Sequence, residues 1–406
     1  MLTNTDRLQL RQRRLAASLP VLRGGFRPFF LGAGVWALVS LALWLAVLFG
    51  WLPSDFAGDP LAWHRHEMLF GFVGAAIAGF ALTAVPNWTG RLPIAGWPLA
   101  ALFAGWLAGR LLPLGLPPGS WPVMLSDGAF YGVLALILGR EIIQSRNKNL
   151  PIVVVIGLFG LAATVDRLEF GGVLAQHGWG WRGGLALALL LIALIGGRIV
   201  PSFTRNWLAA QRAPEPLPTQ PGQFDQLALG ITGASLLLWL MLPDWAVTGG
   251  ALLLAGVANA VRLARWQGWR CTANPLLLVL HGGYLWLALG LGLLGMAQFQ
   301  AVPQSAAIHA LSAGAMATMI LAVMSRASLG HTGRPLVAGR ITVVAYLLLT
   351  LAAATRVLAA LAPEHGPTLL GVAGLGWLGA FALFLFVYLP ILCGARVEPT
   401  IKGASQ

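Results

Sequence analysis

The feature that most constrains this chain is a succession of apolar runs, broken at short intervals by Pro, Gly and charge, that continues to within a few residues of the C-terminus. A helix rises 1.5 Å per residue and a bilayer core is about 30 Å thick, so about 20 apolar residues span it. The runs predict twelve helices, near 29–50, 63–86, 97–113, 122–143, 151–170, 182–203, 225–243, 246–263, 273–297, 305–327, 338–361 and 368–394. Composition agrees: 58% of the residues are hydrophobic and 10% charged, against about 25% charged in soluble domains, which excludes a water-soluble enzyme. The expected fold is all-α and polytopic. A single transmembrane domain fills 1–406, with a basic cytoplasmic segment at 1–28 and a Pro-rich cytoplasmic linker at 212–224 between helices 6 and 7.

The net charge of +13 would suggest nucleic acid in a soluble protein. In a membrane protein it records topology, because cytoplasmic loops collect Lys and Arg. With the N-terminus inside, the inner segments hold Arg7, Arg11, Arg13, Arg14, Arg23 and Arg27, then Arg91, then Arg140, Arg146 and Lys148. They continue with Arg198, Arg205 and Arg212, with Arg262, Arg265 and Arg270, with Arg326, Arg334 and Arg340, and with Arg396 and Lys402. The exceptions, Arg65, Arg110, Arg167, Arg182 and Arg356, fall near outer helix ends. Both termini are therefore expected in the cytoplasm, with the lipid bilayer as partner and no nucleic acid. The basic start runs into a full span without a small-residue cleavage site, so helix 1 reads as a signal anchor. Cys271 and Cys393 fall near cytoplasmic helix ends, where a disulfide is not expected.

Sliding the chain against itself by 243 residues lays helix 2 on helix 10. His66 meets His309, Gly71 meets Gly314, and Thr89-Gly90-Arg91 meets Thr332-Gly333-Arg334. A weaker offset of 115 lays Val85-Pro86 on Val200-Pro201 of helix 6. Together they suggest three pseudo-repeats of four helices.

The repeat gives the histidines their interest. His66 and His309 fall at matching depth near the outer ends of like-directed helices, the arrangement that bis-His ligation of a haem needs. The bland alternative for each is a hydrogen bond between helices. His64, two residues earlier, points about 200° away from His66. It is a candidate for a second centre, or for copper with Met68 four residues on, or for an ordinary interfacial hydrogen bond. His281, beside Gly282-Gly283, falls near mid-membrane, where an ionisable residue marks function by default. It is a candidate axial or copper ligand, a transport site, or a histidine that makes a hydrogen bond within the core. His331 lies 22 residues beyond His309, too far to share its site, and reads as an inner-side ligand or a loop cap. A haem near the outer surface needs cations for its propionates. Arg65, Arg110, Arg167 and Arg356 are the candidates, unless some pair with acids of the same layer such as Asp127, Asp166 and Glu169.

The motifs FRPFF at 26–30, WHRHEMLFGF at 63–72, AVPNWTGR at 84–91, HGGYLWLALGL at 281–291, His309-Ala310-Leu311 and MSRASLGHTGRPL at 324–336 resemble the NnrS family, in order and over nearly the whole chain. The resemblance implies a bacterial inner-membrane protein of twelve spans that contains haem b and copper. Such a protein serves the response to nitric oxide, often alongside denitrification, and protects against nitrosative stress. It implies cofactor roles for His64, His66, His281, His309 and His331, and among these and Met68 the copper candidates are His64, Met68, His281 and His331. It also implies nitric oxide as a partner, with quinol or another electron donor if the protein is an oxidoreductase. The repeat is similar as well to the catalytic subunits of haem-copper oxidases and nitric oxide reductases. The chain departs from those in lacking a His on helix 6, a His-His pair on helix 7 and a His-x-His on helix 10. Rival readings are a transporter with a mid-membrane site at His281 and a quinol-linked electron-transfer protein.

Overall fold

The structure, a computed structural model, describes residues 6, 9, 10, 13 and 17–397. Of the basic residues named above, Arg7, Arg11, Arg14 and Lys402 lie outside the described residues. Among the described residues, twelve helices are long and apolar enough to cross a membrane. They are α1 (Phe26–Leu48), α2 (Pro60–Thr89), α3 (Trp97–Gly115), α4 (Trp121–Gln144), α5 (Leu150–Phe170), α6 (Trp179–Ala210), α7 (Gln223–Met241), α8 (Ala246–Arg265), α9 (Pro275–Gln298), α10 (Gln304–His331), α11 (Arg340–Leu361) and α12 (Pro363–Cys393). Helices α2, α6 and α10 outrun the expected spans of 63–86, 182–203 and 305–327. Pro86 and Pro201 sit inside α2 and α6 without ending them, as prolines do in membrane-spanning helices, where each removes one hydrogen bond of the ladder. At its start α2 is capped by Asp59, whose carboxylate accepts from the amides of Leu61 (2.9 Å) and Ala62 (3.2 Å), with Pro60 at the first helical position. It ends at Gly90, in the left-handed conformation (φ +67°) that favours glycine.

Each sequential pair of helices packs together, so the twelve form three units, α1–α4, α5–α8 and α9–α12. The last helix of each unit packs on the first of the next, α4 on α5, α8 on α9 and α12 back on α1, which closes a ring. The second helices of the units, α2, α6 and α10, fill its middle: α2 touches α6, α6 touches α10, and α2 and α10 are the most buried spans. The units thus relate by rotation about an axis between these three helices. Exposed tryptophans mark both membrane boundaries, Trp51, Trp121, Trp179 and Trp245 at one face and Trp97 and Trp269 at the other.

Each central helix contains a stretch of π-helix: Glu67–Val73 in α2, Ile192–Gly196 in α6 and Ala310–Met316 in α10. The first and third are 243 residues apart at both ends, so the repeat read from the sequence extends to an unusual backbone feature. A π turn widens the helix and disturbs its carbonyl pairing, and buried carbonyls must find donors. In α2 the indole N–H of Trp106 donates to the Gly71 carbonyl (3.1 Å) and the Tyr131 hydroxyl to that of Phe70 (2.5 Å). In α6 the guanidinium of Arg262 donates to the Ala193 carbonyl (3.2 Å).

Candidate functional site

At the face away from the chain termini, a cavity of about 430 Å³ opens between α1, α2, α6, α10, α11 and α12. Its size is that of a small-molecule or cofactor pocket. Most of the wall is apolar, from Leu41, Leu45 and Leu48 of α1 to Trp377 of α12. The polar contributions converge from three helices: His64, Arg65 and Met68 of α2, Ser305 and His309 of α10, and Arg356 of α11. His309 Nδ1 lies 2.7 Å from the Ser305 carbonyl oxygen. A carbonyl only accepts, so Nδ1 carries the proton and Nε2 keeps a free lone pair, the tautomer of a ligating imidazole. The His64 ring stacks on Trp44, with centroids 4.7 Å apart and 17° between the planes, and its Nδ1 is buried with no hydrogen-bond partner. Arg356 donates to the Ser305 hydroxyl (3.2 Å), and Ser40 donates to the Met68 sulfur (3.3 Å).

His66, expected opposite His309, lies elsewhere. It is 1% exposed, and its Nδ1 and Nε2 meet Asp166 (2.7 Å) and Asp127 (2.9 Å). Around it runs a closed network of buried charge. Glu67 accepts from Arg110 (2.5 Å), Arg167 (2.8 Å) and the Trp36 indole (3.0 Å). Asp127 accepts from Arg110 and from Arg167 (3.3 Å), and Arg65 reaches Asp166 (3.3 Å). Arg110 and Arg167 are thus committed to acids of their own layer, whereas Arg65 and Arg356 also line the cavity. Glu169, on the same α5 end, accepts from the amides of Trp179 (3.0 Å) and Gly180 (3.2 Å) at the start of α6.

Rotation about the bundle axis explains the exchange of partners. Turning α10, α11, α12 and α1 by one unit brings them onto α2, α3, α4 and α5. The cavity beside His309 then falls on the space beside His66. In one unit that space is left open; in the other, charged side chains from α2, α3, α4 and α5 fill it. Repeat-related histidines therefore point into neighbouring compartments of the ring, not at each other.

The remaining candidates stand apart. His281, expected near mid-membrane, instead lies six residues into α9, with its ring packed against Gly268 in the connection between α8 and α9, where an added Cβ would collide with it, and its Nε2 is hydrogen-bonded to the Thr204 hydroxyl (2.9 Å). Cys271 shares Thr204 as a partner, and burial pushes its thiol above the usual range, so it stays protonated. Nearby, Arg262 donates to Asp225 (3.0 Å) and Tyr284 (2.6 Å), closing the second polar cluster of the bundle. His331 ends α10 near the termini, with its ring 5.4 Å from that of Phe26. The four copper candidates therefore divide: His64 and Met68 share the cavity, while His281 and His331 lie elsewhere. Among the described residues no group of three or more His, Cys, Asp or Glu side chains could hold a metal ion. Trp44 and Ser305 are cavity residues that the sequence did not signal, since each reads as an ordinary helix or interface residue.

The profile of the family described as NnrS protein matches residues 20–396. The chain belongs to the NnrS family. Membership suggests a role in the response to nitric oxide. The match begins just before α1 and ends just beyond α12, so it takes in all twelve helices and both walls of the histidine cavity. No curated protein matches the chain.

Proposed function

We propose that the histidine cavity would hold a b-type haem through the imidazoles of His64 and His309, and that the protein binds nitric oxide there as part of protection against nitrosative stress. The observation that carries this reading is the presence of both imidazoles in the wall of one large apolar cavity, one with Nε2 left free and the other with a buried, unpartnered nitrogen. An unpartnered buried polar atom is costly, and ligation would remove that cost. Arg65 and Arg356 supply the cations that buried propionates require, and the Nε of Arg65 also lacks a partner. The apolar walls from α1 and α12 suit a flat macrocycle and exclude water. When bound, haem would supply an iron able to bind diatomic ligands. The residues of this chain hold the ligating tautomer at His309 through Ser305 and fix the His64 ring against Trp44.

The positive-inside pattern supports a bacterial cytoplasmic membrane with both termini in the cytoplasm, so the cavity would face the periplasmic half of the bilayer. Nitric oxide is small and apolar enough to arrive through lipid. The test is an optical spectrum of protein expressed with ample haem. The expected result is a low-spin Soret band that His64→Ala and His309→Ala each remove and His66→Ala leaves in the folded fraction. A chain without a Soret band, or one whose spectrum survives loss of both His64 and His309, would overturn the reading.

A further inference from the structure

A second cavity, of about 100 Å³, lies between the central helices α2, α6 and α10, with Phe30 of α1 and Ile152 and Ile156 of α5 completing its wall, closer to the termini than the first. Every side chain that lines it is apolar. The residues that face it recur at helical spacing on all three central helices, with Ala76, Ala188 and Ile320 among them. Ile320 is only partly buried although it sits in the middle of the bundle, because its side chain borders this space. The one π-helical segment that runs along the chamber, Ile192–Gly196, has its Ala193 carbonyl engaged by Arg262. Such a space offers water no partners, and apolar cavities of this order stay dry and take up apolar guests. It is far below the size of a quinone or a lipid chain. Val73 and Met316 belong to the walls of both cavities, so this pair lies between the chamber and the compartment of His64 and His309.

We propose that the chamber is a binding and transit site for small uncharged apolar molecules, diatomic gases above all, which pass between Val73 and Met316 to the histidine cavity. The transit half of the proposal rests on the haem reading above; the binding half does not. Dissolved gas concentrates in hydrocarbon, and a dry pocket inside the membrane domain holds it beside the site where it is bound. Met316 has the flexibility of a gate, being unbranched with several rotatable bonds.

The test uses the full-length protein. Crystals pressurised with xenon should show xenon in the chamber, and absence of xenon there would overturn the proposal whatever the spectrum of the protein. Xenon in the chamber of a protein with no Soret band would leave the gas site standing and overturn the haem reading instead. In reduced, haem-loaded protein, carbon monoxide recombination after flash photolysis reads the transit. Ile320→Phe, which fills the chamber, should abolish xenon binding and slow recombination several-fold. Ile320→Ala, which enlarges it, should raise xenon occupancy and speed recombination, an effect that misfolding does not produce. Unchanged recombination in both variants, with xenon bound in the parent, would overturn the transit role.

Discussion

At the scale of single residues, His64 and His66 show how two positions divide structure from chemistry. His66 meets a carboxylate at each ring nitrogen in a buried layer that also holds Glu67, Arg110 and Arg167. Removing the His66 ring takes one hydrogen-bond partner from each of two buried carboxylates, at about 1–3 kcal/mol apiece. His66→Ala should therefore lower the melting temperature of haem-free protein in detergent far more than His64→Ala, whose Nδ1 has no partner to lose. Equal losses in the two variants would contradict this division. The sequence showed both histidines and their opposite directions on α2, but not which of them met the acids. Asp127 and Asp166 lie 61 and 100 residues away from His66, and only the packing of α4 and α5 on α2 brings them to it.

At the scale of the element, the π-helical stretch of α2 depends on donors from two other helices. Tyr131→Phe deletes the donor to the Phe70 carbonyl and leaves a buried acceptor short of a partner, at about 1–3 kcal/mol. Hydrogen exchange should show loss of protection across 67–73, and unchanged protection would mean that the turn holds without this bond. Gly74 adds a sharper check, because a Cβ there would meet the Tyr131 hydroxyl oxygen before any other atom. Gly74→Ala should be strongly destabilising alone and less so on a Tyr131→Phe background, a coupling readable in a double-mutant cycle. Hydropathy placed the helices well because each span is a local property of about 20 residues. The π stretches escaped it, because a change of backbone hydrogen bonding leaves the apolar pattern unaltered.

At the scale of the whole molecule, an even number of spans puts both chain ends at one face, and the basic loops share it. The topology has a direct readout. The chain has two cysteines, one buried and one exposed near the end of α12. In intact cells a membrane-impermeant thiol reagent should leave Cys393 unlabelled and should label Ser54→Cys, placed in the exposed connection between α1 and α2. Opening the membranes should add Cys393. The reverse pattern would place the histidine cavity at the cytoplasmic face. The rotational arrangement of the three units also has a functional consequence. It produces equivalent spaces around the axis, one open beside His309 and another filled beside His66.

By itself the sequence determined the number of spans, the face that carries the basic loops, the equivalence of α2 and α10, and the matching depth of His66 and His309. All four follow from spacing along one chain, from residue type, or from a fixed offset. Which histidines share a cavity was decided only by the tertiary structure. An offset of 243 residues aligns two helices in depth but says nothing of the angle between them. Rotation about the bundle axis turns repeat-related side chains into successive compartments, so His309 meets the space beside His64 while His66 turns to Asp127 and Asp166.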